Sequence, residues 1–215
     1  MSAARPGGGH GPDRAATAGT PPVLASIWAQ DRRRVLGSGA GMLWHVPADF
    51  AHFRAVTLGC PVLMGRASWE SLGGALPDRT NIVITRTPGY AAPGAVVVAS
   101  WQEAVDRGLA DAQRSGAPVV WVTGGAQIYA QAMDRVDELV ITDLDLDIVG
   151  AGYAGPVVRA PEIPADTWTA DPSRSDAHWR PASGDARWRI TTYVRRLTER
   201  SSPPRRAREP SARER

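Results

Sequence analysis

Asp49 is the acidic residue whose surroundings suggest chemistry. It lies in the segment WHVPAD, shortly after the glycine-rich stretch Gly37–Gly41. Pro47 is typical of a first helical turn, and an acid two residues into a helix is favoured by the helix dipole alone. Because Phe50 and Phe53 follow it, the carboxylate could instead face an apolar cleft and hold a protonatable heterocycle by hydrogen bonds. The residue types leave both interpretations open.

Two glycine-containing turns follow apolar segments that are typical of strands. In the first, Gly65 precedes Arg66 and Ser68, which could bind a phosphate beside the free N–H groups of a helix start. In the second, Gly124-Gly125, the backbone could lie against a pyrophosphate or a ring because neither residue has a side chain. Simple strand–helix corners explain both turns equally well. Neither turn matches the GxGxxG pattern of a Rossmann domain.

Two arginines flank the strand-like segment NIVIT. Thr85 and Arg86 stand at its carboxyl end, where a hydroxyl and a guanidinium suit a ribose phosphate. Arg79 precedes the segment and could pair with a substrate carboxylate. A solvated strand end and a surface pair between Arg79 and Asp78 are the alternatives, and these residues alone do not decide.

Strand-like and helix-like segments alternate along the body of the chain, which predicts a mainly parallel sheet covered on both faces. Ligands of such sheets bind at the carboxyl ends of the strands. The region 150–184 is poor in periodicity and is left without an assigned element. The predicted strands are Val23–Ala29, Pro61–Met64, Asn81–Thr85, Ala95–Ala99, Pro118–Thr123, Glu138–Leu144 and Arg187–Val194. The predicted helices are Pro47–Leu58, Arg66–Ser71, Gln102–Ser115 and Gln127–Met133.

The composition limits the kind of protein this can be. A chain of 215 residues can bury one full hydrophobic core, and no apolar run approaches the ~20 residues of a membrane span. The single cysteine, Cys60, and the lack of a secretory signal lead us to expect a cytoplasmic protein. The segments 1–22 and 198–215 lack apolar periodicity, so we expect them to be disordered around one domain, 23–197.

The net charge is unevenly distributed. Of the total of +3, residues 195–215 carry +5 and residues 1–22 carry +1, which leaves −3 for residues 23–194. The Arg-rich tail raises the alternative of a nucleic-acid-binding protein, but the negative body argues against its being the binding surface. Deletion of residues 198–215 would separate these possibilities, because an enzyme of the body would keep its activity.

The order and spacing of these segments resemble those of bacterial dihydrofolate reductases. The resemblance covers about residues 23–149 and resumes at Trp188–Arg195; its segments are IWAQ, LWHVPADFAHF, PVLMGRASWES, LPDRTNIVITR, WVTGGAQIY, LVITDLDLD and WRITTYVR. It implies an α/β fold with an eight-stranded, mixed, mostly parallel sheet flanked by four helices. It also implies hydride transfer from NADPH to C6 of 7,8-dihydrofolate with protonation of N5. We accordingly expect a monomer that binds dihydrofolate and antifolate inhibitors, with no membrane, nucleic-acid or metal partner.

The resemblance assigns roles on the substrate side. Asp49 takes the place of the acid that hydrogen-bonds the pterin N3 and 2-amino group and favours protonation of N5. Trp44 matches the tryptophan beside an ordered water, and Met42 matches a mobile loop residue that closes over the nicotinamide. Arg79 matches the arginine that binds the glutamate α-carboxylate. The rest of the implied substrate site is Ile27, Trp28, Ala29, Phe50, Phe53 and Thr142.

The resemblance also implies an NADPH site. Thr85 and Arg86 match residues around the adenosine 2′-phosphate, and the peptide bond between Gly124 and Gly125 is cis in the family. No metal ligand is expected. The implied cofactor-binding residues are Ala29, Leu36, Gly65, Arg66, Ser68, Thr85, Arg86, Thr123, Gly124, Gly125, Ala126, Gln127, Ile128 and Tyr129.

The chain departs from the family pattern at several positions. Leu43 replaces a proline before Trp44, and Ser68 replaces a threonine. Thr123 replaces an apolar residue, while Phe50 stands where smaller or polar side chains are frequent. Ala151 falls where many members have an acid that bonds the mobile loop. A related reductase of a deaminated riboflavin precursor is the rival enzyme, and we expect it to lack the Trp44–Asp49 pair and Arg79.

Overall fold

A mixed β-sheet forms the centre of the chain in the computed structural model, which describes residues 21–196. The segments expected to be disordered, 1–22 and 198–215, lie outside this range except for residues 21 and 22. The domain end at residue 197 also lies outside the described residues. None of the described helices is long and apolar enough to cross a membrane.

The elements alternate much as the sequence predicts. The strands are β1 (Val23–Gln30), β2 (Val35–Gly37), β3 (Val62–Gly65), β4 (Asn81–Ile84), β5 (Ala95–Val98), β6 (Val119–Val122), β7 (Glu138–Leu144), β8 (Val158–Arg159), β9 (Trp168–Ala170), β10 (Arg180–Ser183) and β11 (Ala186–Arg195). The helices are α1 (Pro47–Thr57), α2 (Arg66–Leu72), α3 (Trp101–Ser115) and α4 (Ala126–Ala132).

Eight strands run across the main sheet in the order β10-β11-β7-β1-β6-β3-β4-β5. The strands from β7 to β5 are parallel, whereas β11 is antiparallel to β7 and β10 is antiparallel to β11. This confirms the expected eight-stranded, mostly parallel sheet with four helices, and the short β9 adds a further pairing on β11. Because six neighbouring strands are parallel, their carboxyl ends lie along one edge.

The helix boundaries follow from local chemistry. Pro47 begins α1 at a position where the absence of its N–H costs nothing. Ser100 caps α3 by accepting a hydrogen bond from the Glu103 N–H at 3.2 Å, and the Glu103 carboxylate accepts one from the Ala99 N–H at 3.0 Å. Gly116 ends α3 with φ 78°, a left-handed conformation that favours glycine.

The core lies on both faces of the sheet because β1 and its parallel neighbours are covered on each side. Leu24 and Trp28 of β1 join the cluster that packs under α3 and α4. Ala25 and Ile27 point the other way, into the cluster around α1. The central strands are therefore held firmly, and their ends are fixed platforms for the loops.

The structure adds elements that the sequence left unassigned. The region 150–184 contains β8, β9, β10 and a short 3₁₀ helix, Pro172–Arg174, and the hairpin after β1 contains β2. These strands have two to four residues, which is too short for a periodic pattern. Pairing defines each of them: β2 pairs with the distant β8, β9 pairs with β11, and β10 forms a tight antiparallel hairpin with β11.

Candidate active site

A cleft of about 1100 Å³ lies at the edge where the parallel strands end. Its wall includes the last residues of β1 and β3, the residues that follow β4 and β6, and the starts of α2 and α4. The cleft therefore occupies the position at which ligands of parallel sheets bind. The predicted site residues that line it are Ile27, Trp28, Ala29, Leu36, Met42, Asp49, Phe50, Phe53, Gly65, Arg66, Ser68, Thr85, Arg86, Thr123, Gly124, Gly125, Ala126, Gln127, Ile128 and Tyr129.

Asp49 lies in the first turn of α1 and is only 7% exposed. Burial raises the pKa of its carboxyl, and a hydrogen bond with the Thr142 side chain opposes that shift. Within residues 21–196, no cation forms an ion pair with it. A buried carboxylate without a cationic partner is costly, and it is available to a ligand that brings hydrogen-bond donors.

Two predicted residues lie behind the cleft wall rather than in it. Thr142, on β7, is fully buried beside Asp49 and pairs in register with Ala29 of β1. Trp44 is also buried, and its indole N–H finds no acceptor among the described residues. A buried N–H group without an acceptor is rare in proteins, so this position suits an ordered water or a ligand atom.

Arg79 lies beyond the other end of α1 and does not line the cleft. Its guanidinium donates to Thr57 Oγ1 at 3.0 Å through Nη1 and to the Pro77 carbonyl at 2.9 Å through Nε. Thr57 in turn donates to the carbonyl of Phe53 at 2.8 Å. Burial lowers the pKa of Arg79, and the nearby Arg54 lowers it further. Two hydrogen bonds, through Thr57, therefore connect Arg79 to the cleft residue Phe53.

The two glycine turns are joined to each other. The Gly65 N–H donates to the Gly124 carbonyl at 2.7 Å, and the peptide bond between Gly124 and Gly125 is cis, as the resemblance implies. A Cβ atom on either Gly124 or Gly125 would lie 3.1 Å from Ser68 Oγ. Bare backbone therefore forms part of the cleft surface at this point, with one hydroxyl beside it.

Tyr129 closes the middle of the cleft wall. Its hydroxyl donates to the Ile27 carbonyl at 2.7 Å, and its ring lies 4.8 Å from the ring of Trp28, centroid to centroid. Burial raises the pKa of the phenol, and the charge of Asp49 raises it further. Because the hydroxyl is already bonded to the backbone, this tyrosine offers a ligand its ring rather than its polar end.

Two arginines stand at the end of the cleft away from Asp49. Arg66 is half-exposed, 3.9 Å from Glu70, and lies over the ring of Tyr90. Arg86 makes no ion pair within the described part of the chain and follows Thr85, whose hydroxyl accepts from the Thr87 N–H at 3.2 Å. The cleft thus has positive charge at one end and a buried acid at the other.

Several lining residues were missed from the sequence. Ser100 and Trp101 begin α3 after β5, so the rule that ligands bind at strand ends could have found them. Val158 reaches the cleft only because β8 pairs with β2, which no local pattern predicts. The unassigned lining residues are Gly37, Gly39, Gly41, Ala67, Ser71, Leu72, Ile84, Thr87, Ala99, Ser100, Trp101, Gln131 and Val158.

A second cavity of about 530 Å³ lies beside α1. Its lining includes His52, Val56 and the segment 173–176. Its charged groups are paired: Arg174 lies 2.8 Å from Glu138, and Arg180 lies 2.7 Å from Asp176. The cleft, in contrast, holds a buried acid, bare glycine backbone and arginines at its far end. These features define a class, namely an α/β enzyme that holds a phosphate-bearing cofactor beside a pocket with one buried acid.

Comparisons with known proteins make the assignment specific. A family model described as dihydrofolate reductase matches residues 23–191. The chain is 45% identical over 134 residues to dihydrofolate reductase of Neisseria gonorrhoeae, covering 62% of this chain and 75% of the relative. It is 34% identical over 176 residues to dihydrofolate reductase of Mycobacterium tuberculosis, covering 80% of this chain and 98% of the relative. The chain belongs to the dihydrofolate reductase family.

A solved structure agrees with this assignment. Dihydrofolate reductase from Enterococcus faecalis, complexed with NADP(H) and RAB-propyl, superimposes with a TM-score of 0.66 at 27% sequence identity. The match covers 80% of this chain and 96% of that chain. The similarity therefore extends across the sheet and helices and includes the region after residue 150.

Proposed function

We propose that the protein reduces 7,8-dihydrofolate to 5,6,7,8-tetrahydrofolate with NADPH, by hydride transfer to C6 and protonation of N5. The observation that carries this proposal is Asp49, a buried carboxylate without a cationic partner in the described residues, at one end of a cleft with glycine turns and arginines at the other. A pterin presents an amidine-like edge with two donors, which fits such a carboxylate.

Asp49 binds the pterin N3 and 2-amino group in this proposal. Because the carboxylate is desolvated, its interaction with a charged heterocycle is stronger than it would be in water. The hydrogen bond with Thr142 holds its orientation. Ile27 and Phe53 supply apolar walls on either side of the acid.

Protonation of N5 is supported by the same carboxylate. Its negative charge favours the cationic form of the pterin, which is the form that accepts a hydride readily. Trp44 Nε1, which has no acceptor within residues 21–196, would bind the ordered water that delivers the proton.

The cofactor end of the cleft fits NADPH, which supplies the hydride when bound. The bare backbone at Gly124 and Gly125 allows close approach of a large planar or phosphate-bearing group, since a Cβ there would already crowd Ser68. Arg66, Arg86 and Thr85 offer charge and a hydroxyl to the phosphates, including the 2′-phosphate.

The loop side of the pocket is the stretch from Gly37 to Met42. The Met42 side chain is 44% exposed and lines the cleft, so it can cover the nicotinamide as the loop closes. Arg79 binds the α-carboxylate of the substrate's glutamate, next to Phe53. Antifolates that carry a diaminopyrimidine would compete for Asp49.

We further propose a monomeric, cytoplasmic enzyme whose domain spans residues 23–197. The single cysteine, Cys60, is buried and free, as in proteins of a reducing compartment. The last strand of the sheet ends at Arg195, close to the proposed boundary.

An absorbance assay at the reduced nicotinamide band tests the proposed function. Purified protein should oxidise NADPH only when dihydrofolate is present, and a diaminopyrimidine antifolate should stop the reaction. Oxidation that depends on a deaminated riboflavin precursor, with none on dihydrofolate, would overturn the proposal. Removal of residues 198–215 should leave the rate unchanged if the tail has no part in catalysis.

A further inference from the structure

Asp31 connects two separate segments of the chain through its buried carboxylate. Oδ1 accepts hydrogen bonds from the N–H groups of Arg33 and Val35, both at 2.8 Å, within the hairpin that joins β1 to β2. Oδ2 accepts from the Ile148 N–H at 3.0 Å, in the turn that follows β7. The residue is 2% exposed, and its position in the hairpin puts it outside the cleft lining.

We propose that Asp31 is a positioning residue that fixes the loop wall of the active-site cleft by tying the β1–β2 hairpin to the turn after β7. The kinetic consequences of this proposal rest on the proposed function, whereas the hydrogen bonds that join the two segments do not depend on it.

The hairpin leads directly into the cleft wall. Val35 begins β2, and the residues that follow it line the cleft from Leu36 to Met42. β2 also pairs with β8 through Val35 and Arg159, and the neighbouring Val158 lines the cleft as well. Because Asp31 binds the Val35 N–H, it fixes the position of β2 and, through the pairing of β2 with β8, that of β8 as well.

A second, outer contact joins the same two segments. Arg33 Nε lies 2.8 Å from Asp147 Oδ1, and that carboxylate also accepts from the Gly150 N–H at 2.7 Å. The next residue is Ala151, whose methyl group cannot accept a hydrogen bond. The side-chain links between the hairpin and the segment after β7 thus come from Asp31, Arg33 and Arg32, whose Nε donates to Asp145 Oδ1 at 3.0 Å, rather than from position 151.

The chemistry of the contact explains why it needs a carboxylate. Two oxygens must accept from three N–H groups, and asparagine has only one acceptor oxygen. Asp31→Asn can keep the two bonds within the hairpin, but it places an NH₂ group against the Ile148 N–H. A buried N–H without a partner destabilises the contact enough to increase local opening about tenfold.

Asp137 provides a matched control at the other end of β1. Its Oδ2 accepts from the Leu24 N–H at 3.1 Å, which is also a bond between a carboxylate and the backbone of a distant segment. Asp137 does not line the cleft. Asp137→Ala should therefore lower the melting temperature without moving the cleft wall.

Hydrogen–deuterium exchange on the full-length chain tests the tie directly. In Asp31→Asn, amides in 36–42 and 148–152 should exchange about tenfold faster than in the wild type, while in Asp137→Ala they should stay within about twofold. Unchanged exchange in both segments of Asp31→Asn would overturn the proposal. If that variant does not fold, exchange in the wild type still decides: the Ile148 and Val35 amides should be protected, and free exchange of the Ile148 amide would overturn the proposal.

Steady-state kinetics and NADPH binding test whether Asp31 also positions the cleft wall for activity. Asp31→Asn should lower kcat and weaken NADPH binding by about tenfold, while Asp137→Ala should change neither by more than about twofold. Equal losses in the two variants would mean general loosening of the sheet and would contradict the proposal. If the wild type does not reduce dihydrofolate, the proposed function fails, and the exchange experiment still decides the role of Asp31.

Discussion

Helix α1 borders both the cleft and the second cavity, and the carboxylates at the two places differ in whether they have a cationic partner. On the cleft side, Asp49 is buried without an ion-pair partner in the described residues. On the side of the second cavity, Arg180 pairs with Asp176, which also accepts from the Ile190 N–H at 2.8 Å. A carboxylate that already has a cationic partner stabilises the fold, whereas a buried carboxylate left without one is available for a ligand.

The carboxyls of Asp49 and Asp176 should accordingly make the stability of the fold depend on pH in opposite directions. Burial raises the pKa of Asp49 above 3.8, so its contribution to stability falls as the pH rises through the raised value. Burial also raises the pKa of Asp176, but Arg180 and the Ile190 N–H lower it more, so the net shift is downward. Its contribution is present above pH 3.8 and is lost as the pH falls through the lowered value.

Asp49→Asn should have the largest effect. Loss of the charge should lower kcat/KM for dihydrofolate by roughly 100- to 10,000-fold near neutral pH. The same change removes a buried charge, so the melting temperature at neutral pH should rise. Steady-state kinetics and thermal unfolding of the purified variant measure both. A variant that kept full activity would contradict the proposed role.

Arg79→Leu should weaken dihydrofolate binding by roughly 10- to 100-fold, because a charge-assisted bond to the substrate is lost. NADPH binding should stay within about twofold. Arg54→Leu is the control, since Arg54 is a nearby exposed arginine 3.8 Å from Asp78 and does not line the cleft. Fluorescence titrations with each ligand give the constants, and equal weakening of both ligands would mean that Arg79 is misassigned.

Arg86→Ala should reduce the preference for NADPH over NADH by about tenfold, because the guanidinium would no longer face the 2′-phosphate. Arg107→Ala, an exposed arginine of α3 outside the cleft lining, should leave the preference unchanged. The ratio of kcat/KM for the two cofactors measures the effect. An unchanged ratio in Arg86→Ala would place the 2′-phosphate elsewhere.

His52→Gln should have the smallest effect on activity, within about twofold, because His52 faces the second cavity. Burial lowers the pKa of His52 below 6.5, Arg180 lowers it too, and Asp176 opposes them. The folded wild type therefore loses stability as the pH falls from 6.5 through that lowered pKa, and the variant should lose less. Urea unfolding at about pH 7.5 and about pH 5.5 tests this. A large loss of activity in His52→Gln would contradict the claim that the cleft, and not the second cavity, is the active site.

The central fold could be predicted because its strands carry their own signal. NIVIT and PVVWVT are apolar, β-branched runs between turn residues, and they match β4 and β6 within one or two residues. β2 and β8 carry no such signal, since they have three and two residues and exist through their mutual pairing. Their assignment requires the tertiary structure.

The candidate site likewise has residues that the sequence predicts and residues whose role only the tertiary structure reveals. The glycine turns and Asp49 could be located because each stands next to a strong local pattern, a strand end or a helix start. The role of Asp31 could not, because two of its donors are local but the third, the Ile148 N–H, reaches it only when the turn after β7 meets the hairpin. Trp44 and Thr142 were named through the resemblance, and Arg79 also through its place before a strand. That all three lie outside the cleft lining became visible only in the structure.

The protonation state of a bound diaminopyrimidine antifolate tests most directly whether Asp49 is the group that receives the pterin. The buried carboxylate should stabilise the protonated heterocycle, so the ultraviolet difference spectrum of the wild-type complex should be that of the cation well above the free ligand's pKa. In Asp49→Asn the bound ligand should be neutral and its affinity should fall sharply. A cationic spectrum with unchanged affinity in Asp49→Asn would contradict the account.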